Sequence, residues 1–222
     1  MTPGVAACRA LARLYDVEFD ELWDAIESNG AANMPNVSMG WWSNYEALEQ
    51  SAVSVRTWEP LVVPGLLQTR DYAAALLGGD DDLVSRRMDR QQIVTRPDNP
   101  VDLVAILDES TLRRPVGGPA VMVDQLDHLV AMSQRPNVTV QVLPRTASAH
   151  ALMLGGNGAF VILGLPWPGG LVHLEHIGGA RSLDTSYELE THAQAFDQLR
   201  ELALPPNESV NLIQAAAKEL AQ

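Results

Sequence analysis

Val55-Arg56-Thr57-Trp58-Glu59-Pro60-Leu61-Val62-Val63-Pro64-Gly65-Leu66-Leu67-Gln68-Thr69-Arg70-Asp71-Tyr72 holds a strand, a turn and a helix start in one short stretch. Val53, Val55 and Thr57 alternate as a strand does, and Pro60 removes a ladder donor and ends it. Pro64-Gly65 is turn chemistry, in which proline fixes φ and glycine is free to take φ > 0. Thr69 is placed to N-cap a helix running through Tyr72 and Leu76. Arg56 and Glu59 then stand at a strand end and Gln68 at a helix start, where polar groups can converge on a ligand. The structural alternative is an Arg56–Glu59 ion pair that locks the turn.

Upstream, Ser28 to Met39 carries Gly30, Asn33, Pro35 and Asn36 and reads as a linker. Trp41 and Trp42 open a helix to about Gln50, and residues before the linker show helical stripes at Val5, Cys8, Leu11 and Leu14 and again over Asp20 to Ile26. Downstream, Asp80-Asp81-Asp82 complements the dipole of a helix from Leu83 to Arg96 that Pro97 ends. Arg86, Arg87 and Arg90 on that helix are expected to make surface pairs with Asp82 and Asp89. Val101 to Leu107 is an apolar run suited to a buried strand, Pro119 to Gln134 has helical spacing, and Val138, Val140 and Val142 alternate. Strand, crossover helix and strand make a βαβ unit with a parallel pair. Phe160 to Leu163 and Leu171 to Ile177 form a hairpin around Pro166-Trp167-Pro168-Gly169-Gly170, and two helices, Tyr187 to Leu202 and Glu208 to Leu220, close the chain. The expected fold is α/β, with α+β as the alternative: a mixed sheet with flanking helices (residues 40–222) and a small N-terminal helical segment with its linker (residues 1–39).

Composition narrows the function classes. Formal net charge is −13, and such a surface repels nucleic acid, whose phosphates require clustered Lys or Arg. Lys218 is the single lysine beside fourteen arginines, which excludes Schiff-base and P-loop chemistry in context. Gly155-Gly156-Asn157-Gly158 matches neither a Walker loop nor a dinucleotide fingerprint. Cys8 stands alone, so no intramolecular disulfide forms, which fits a reducing cytosol. No run reaches the ~18 apolar residues of a membrane helix. A cytoplasmic protein with no membrane and no direct nucleic-acid partner is expected.

His173, Glu175 and His176 have the residue types of a metal motif, but on a strand His173 and Glu175 share a face while His176 points away. Two ligands leave a site incomplete, and no metal is expected. A fuller constellation takes Arg56, Glu59, Gln68, Glu109, His150 and Glu175, each at a strand end or in an adjoining loop, where crevices form in open α/β sheets. A histidine and carboxylates near an arginine allow proton transfer, with Glu109, His150 and Glu175 as the catalytic candidates. The same groups serve equally well in a binding pocket, where Arg56, Trp58, Glu59, Gln68 and Tyr72 are the ligand-binding candidates. The cofactor is left open.

Arg-Thr-Trp-Glu-Pro, Val-Pro-Gly-Leu-Leu-Gln-Thr and Tyr72 resemble the signature of an actinobacterial family, as do Gly40-Trp41-Trp42 with Tyr45, Leu107-Asp108-Glu109, Leu112-Arg113-Arg114-Pro115-Val116-Gly117-Gly118, Asn137 to Pro144, Ala149-His150 and Glu175. Members of that family join an Xre-type helix-turn-helix to a larger C-terminal domain of unknown function. The resemblance covers about residues 40 to 213. It implies that residues 1–39 hold the last helices of a truncated DNA-binding domain without its recognition helix. It also implies a regulatory module that binds a small molecule, a small companion protein or a second copy of a relative, with a homodimer as one possibility. The rival reading is a small-molecule enzyme of secondary metabolism on the same domain: an acid-base lyase, cyclase or group transferase.

Overall fold

The computed structural model describes residues 45–147, 154, 158–176 and 179–221. The expected helical segment at 1–39, the Trp41-Trp42 pair and His150 lie outside the described residues. In chain order the elements are α1 (Tyr45–Ser51), β1 (Ser54–Glu59), a 3-10 turn (Gly65–Leu67), α2 (Arg70–Leu76), α3 (Asp81–Arg90) and α4 (Gln92–Thr95). Then come β2 (Asp102–Asp108), a second 3-10 turn (Glu109–Arg113), α5 (Pro119–Met132), β3 (Val138–Leu143), β4 (Phe160–Gly164), β5 (Gly170–His176), β6 (Gly179–Leu183), α6 (Ser186–Leu202) and α7 (Pro206–Leu220).

The six strands form one sheet in the order β3-β2-β1-β4-β5-β6. β1, β2 and β3 pair in parallel, whereas β4, β5 and β6 run antiparallel to their neighbours. The fold is therefore α/β with a mixed sheet and flanking helices, and the parallel unit β2–α5–β3 is the one that hydrophobic spacing implied. β1 is the switch point, with a parallel neighbour on one side and an antiparallel one on the other.

Alternation sends each strand's side chains to two different cores. Val55, Leu103, Ala105, Val140, Leu163 and Leu171 pack beneath α1, α2, α5 and α7 with Leu48, Tyr72, Leu126 and Ile213. Trp58, Ile106, Phe160, Ile162 and Val172 face the other way, onto Phe196 and Leu199 of α6. The outer edge of β3 is covered at Val142 by the link between α6 and α7 and the start of α7: Leu204 N donates to Val142 O at 2.9 Å, and Val142 N donates to Ser209 Oγ at 3.0 Å. Those bonds occupy the outward backbone groups of Val142 on this edge strand.

Caps fix the helix starts. Thr69 accepts from Tyr72 N, as its position before α2 implied, and Asp80 accepts from Asp82 N and Leu83 N. Thr185 and Glu188 form a capping box at α6. Gly117 has φ +68°, and a Cβ there would lie 2.8 Å from Val121 Cγ1, so only glycine fits before α5.

Three expectations are corrected, and one strand was not anticipated. The helix expected from Leu83 to Arg96 breaks at Gln91, whose side chain turns back to donate to Gly65 O and Gln68 O, both at 2.8 Å. Gly65 is not among the positive-φ glycines; it opens a 3-10 turn against the Arg87 side chain instead. β6, with the sequence GARSL, carries no alternating apolar signal and exists through its pairing with β5. Arg86 and Arg90 do not pair along their own helix: they reach Glu46 and Glu49 of α1.

Candidate functional site

Three rows of side chains cross β1, β4 and β5 on the face beneath α1. The first, Val55–Leu163–Leu171, is apolar. The second, Thr57–Val161–His173, brings a hydroxyl and an imidazole onto the same face. One step further along that face stand Glu59 on β1 and Glu175 on β5, and Ala159, which precedes β4, lines the same cavity. The sheet surface thus changes from apolar to acidic toward the C-terminal end of β1, at the switch point where ligand crevices form in open α/β sheets.

A cavity of about 140 Å³ opens there. Its floor is Thr57, Glu59, Val161, His173 and Glu175; Tyr45 and Glu49 of α1 form one wall, Arg87 and Arg90 of α3 another, and residues 62–68 the rim. A single water needs only roughly 10–15 Å³ by this measure, so the space admits a ligand about the size of one six-membered ring.

The walls are held by partnered charge. Arg90 donates to both oxygens of the buried Glu49, at 2.7 and 2.9 Å, and the Tyr45 hydroxyl donates to the same carboxylate at 2.7 Å. Burial alone would lower the Arg90 guanidinium, but the hydrogen bonds and charge of Glu49 outweigh it and hold it raised. Burial and then Glu49 push the Tyr45 phenol well above its ordinary value. The Tyr45 ring stacks on His173 with centroids 4.0 Å apart and planes at 23°. His173 Nδ1 lies 3.4 Å from Ser182 Oγ on β6.

The rim is equally fixed. Gln68 Nε2 donates to Val63 O at 2.6 Å, while its Oε1 accepts from Arg87 Nη1 at 2.9 Å. Tyr72 Oη accepts from Val63 N at 3.1 Å. The buried Gln125 accepts from Thr69 N and donates to Leu67 O, both at 2.7 Å. A loop whose backbone groups are satisfied by four buried or half-buried side chains is preorganised, so binding in the cavity need not first order its rim.

Glu59 makes no ion pair among the described residues. Burial, and then the charge of Glu175, push its carboxyl up to about 8, so it is protonated at neutral pH. Glu175 moves the opposite way: its side chain is 81% exposed, and His173, with Nε2 3.8 Å from Oε1, holds it below the usual carboxylate range. Thr57 Oγ1 is buried and makes no hydrogen bond of good geometry, although it lies near enough to Glu59 to moderate that carboxyl's upward shift. The floor therefore presents a neutral acid, an ionised carboxylate and a hydroxyl together. Two carboxyl groups pushed apart in this way can divide the parts of acid and base.

A model of the family described as a domain of unknown function, DUF5753, matches residues 42–215. The chain belongs to the DUF5753 family. The match spans every strand of the sheet and every residue that lines the cavity, so the site is part of the DUF5753 domain itself. No curated protein and no solved structure matches the chain.

Of the residues singled out from the DUF5753 sequence, Glu59, Gln68 and Glu175 line the cavity together. Arg56 and Trp58 do not, because residues one or three apart on a strand face opposite ways from Glu59. Arg56 reaches Asp197 of α6 at 3.8 Å and lies 5.7 Å from the Phe196 ring centre, so neither convergence nor pairing with Glu59 occurs. Trp58 is buried in the α6 core. Tyr72 is fully buried, its hydroxyl used by the rim. Glu109 lies in a separate cluster, accepting from Arg113 Nη1 at 2.9 Å and from Arg145 N and Nε at 2.9 and 3.1 Å. His150 lies outside the described residues. Of the six-residue constellation, Glu59, Gln68 and Glu175 share the cavity, and Arg56 and Glu109 lie elsewhere.

Sequence reasoning missed Tyr45, Glu49, Thr57, Arg87 and Arg90, and weighed His173 only as a metal ligand. One signal was available: Glu46 and Glu49, spaced three apart, face Arg86 and Arg90, spaced four apart, which is the pattern of two helices joined by ion pairs. Among the described residues no group of three His, Cys, Asp or Glu side chains could hold a metal ion, and no helix is long and apolar enough to cross a membrane.

Proposed function

We propose that this DUF5753 domain is a ligand-binding regulatory module, and that its ligand is a small molecule seated in the cavity between α1, α3 and the β1–β4–β5 floor. The observation that carries the reading is that α1 supplies a wall through Tyr45 and Glu49. α1 is also the element through which the domain connects to residues 1–44. A ligand against Tyr45 therefore acts on the helix that leads back toward residues 1–39, whose sequence resembles part of an Xre-type DNA-binding domain. Occupancy would be relayed by a change in how α1 sits on α3, held by the Glu49–Arg90 and Glu46–Arg86 pairs. The chain itself does not read DNA in this scheme, in keeping with a net charge of −13; a companion protein or a second copy receives the signal.

Native mass spectrometry after exposure to an actinobacterial small-molecule extract tests the reading. A retained molecule that slows amide exchange in α1 supports it. Retention that leaves α1 exchange unchanged removes the relay, and no retained molecule in wild type beside an equally empty Glu175→Ala control removes the site.

A second reading is favoured by one specific observation, the opposed protonation of Glu59 and Glu175. An acid-base lyase, cyclase or group transferase of secondary metabolism would use Glu59 as the acid and Glu175 as the base. Turnover of an extract component that Glu59→Gln and Glu175→Gln each abolish would establish it.

A further inference from the structure

Among the charged groups that line the cavity, two contacts are ion pairs by geometry, Arg90–Glu49 and the longer His173–Glu175. Arg90 is bound in two-point contact to Glu49, which also takes the Tyr45 hydroxyl, so that cation and anion are spent on each other. Arg87 of α3, hydrogen-bonded at its tip to the Gln68 amide, makes no ion pair within 4 Å among the described residues and acts at longer range on both Glu175 and Glu59. His173 packs against Tyr45 and beside Glu175. Glu59 of β1 is left over: among the described residues no arginine, lysine or histidine lies within ion-pair distance of it. Next to it on the same strand face is the Thr57 hydroxyl, 2% exposed as a residue and without a hydrogen-bond partner of good geometry. Across the floor is Glu175, near enough for its charge to act on Glu59.

Resting on the binding-site reading above, we propose that the cavity is selective for a compact organic cation, an ammonium, amidinium or guanidinium head whose N–H groups lie between Glu59, Glu175 and Thr57 Oγ1. Such a head gives Glu59 an ion-pair partner at contact distance and gives the Thr57 oxygen a donor. Carboxylate hydrogen bonds to a charged N–H are the strong class, and a planar amidinium or guanidinium can engage one carboxylate through two of them. An anionic ligand seated between Glu59 and Glu175 would instead face two carboxyl groups.

Binding has a proton balance. In the empty cavity Glu59 holds its proton at neutral pH, because burial and Glu175 disfavour its charge. When the cation arrives, the Glu59 carboxyl ionises and releases that proton to solvent, and the new N–H···O⁻ contacts form. No other bond changes. The facing groups (Tyr45 and Glu49 of α1, Arg87 and Arg90 of α3, His173 and Glu175 of β5) keep their partners.

The test uses benzamidinium, whose charge is constant over the working range, with benzamide and benzoate as neutral and anionic molecules of the same shape. Calorimetric titration of the full chain at pH 8.5 should show benzamidinium binding at least about tenfold tighter than either. Its affinity should rise about tenfold per pH unit from 6 toward 8 and then level, with close to one proton released at pH 6.5, read from buffers of different ionisation heat. Glu59→Gln, which copies the protonated acid and retains the fold, should abolish both the preference and the proton release. Benzamide or benzoate binding as tightly as the amidinium would overturn the cation assignment while leaving the cavity a binding site. Failure of all three to perturb the Tyr45 and His173 ring resonances would overturn the assignment and the binding-site reading together.

Discussion

Glu59→Gln at neutral pH should make the protein more stable, and the size of the effect follows from the site. The carboxyl titrates at about 8 in the folded chain against 4.5 when exposed. A folded pKa raised above the unfolded one means that its contribution is fully present below pH 4.5 and is lost as pH climbs through 8. At pH 7 the unfolded chain has released the proton that the folded chain still holds, a difference of 2.5 units on the unfolded titration, or about 3 kcal/mol against folding. Glutamine keeps the shape and a donor but has no proton to lose, so it escapes that cost. For a domain of this size the change corresponds to roughly 6–12 °C in Tm. Differential scanning calorimetry of both proteins from pH 4.5 to 8 should show curves that nearly meet at the acid end and separate steadily above pH 5. His128, whose burial lowers its pKa, also titrates in this window, but it is common to both proteins and cancels in the difference. Glu175, held low by His173, is already ionised throughout most of the range. Equal Tm values at pH 5 and pH 8, or a destabilised variant at pH 7, would refute the reasoning.

Other sites give contrasting outcomes. Arg90→Ala leaves Glu49 buried without its cation and should cost about 3–5 kcal/mol in urea unfolding, since breaking a buried pair strands a charge. Arg56→Ala should cost no more than about 1 kcal/mol, because its contact with Asp197 is long and solvent-exposed, and benzamidinium affinity should be unchanged from the opposite face of the sheet. Gln125→Leu strands Thr69 N and Leu67 O and should lower stability by about 1–3 kcal/mol for each group that water does not reach, with faster amide exchange at the rim. Glu109→Gln should weaken the Arg113–Arg145 cluster in thermal melts without altering the proton release on cation binding.

The sequence by itself determined the elements and most of their order. Val138, Val140 and Val142 had to share a face, Pro119 and Pro206 sit at helix starts, Thr69 caps α2, and the βαβ arrangement of β2, α5 and β3 follows from spacing and handedness. All of these are local, because a 2.0 or 3.6 period and a cap are properties of neighbouring residues. Even the opposition of Arg56 to Glu59 was present in the strand period, three residues apart, and was overridden by treating a strand end as a place where both faces converge.

Only the tertiary structure decided which residues share the cavity. β1 meets β4 although about a hundred residues separate them, and that pairing puts Thr57 in line with Val161 and His173 and brings Glu59 and Glu175 onto one cavity floor. No periodicity within one segment specifies a partner in another. The same holds for charge: Arg87 and Arg90 read as a solvated helix face until α1 and the rim come to lie against them. Glu59 has an ordinary carboxyl in the sequence, and it becomes a neutral acid at pH 7 because burial and the charge of Glu175 outweigh the more distant Arg87. Desolvation and long-range pairing exist only once the chain is assembled, so they have no signature in the order of its residues.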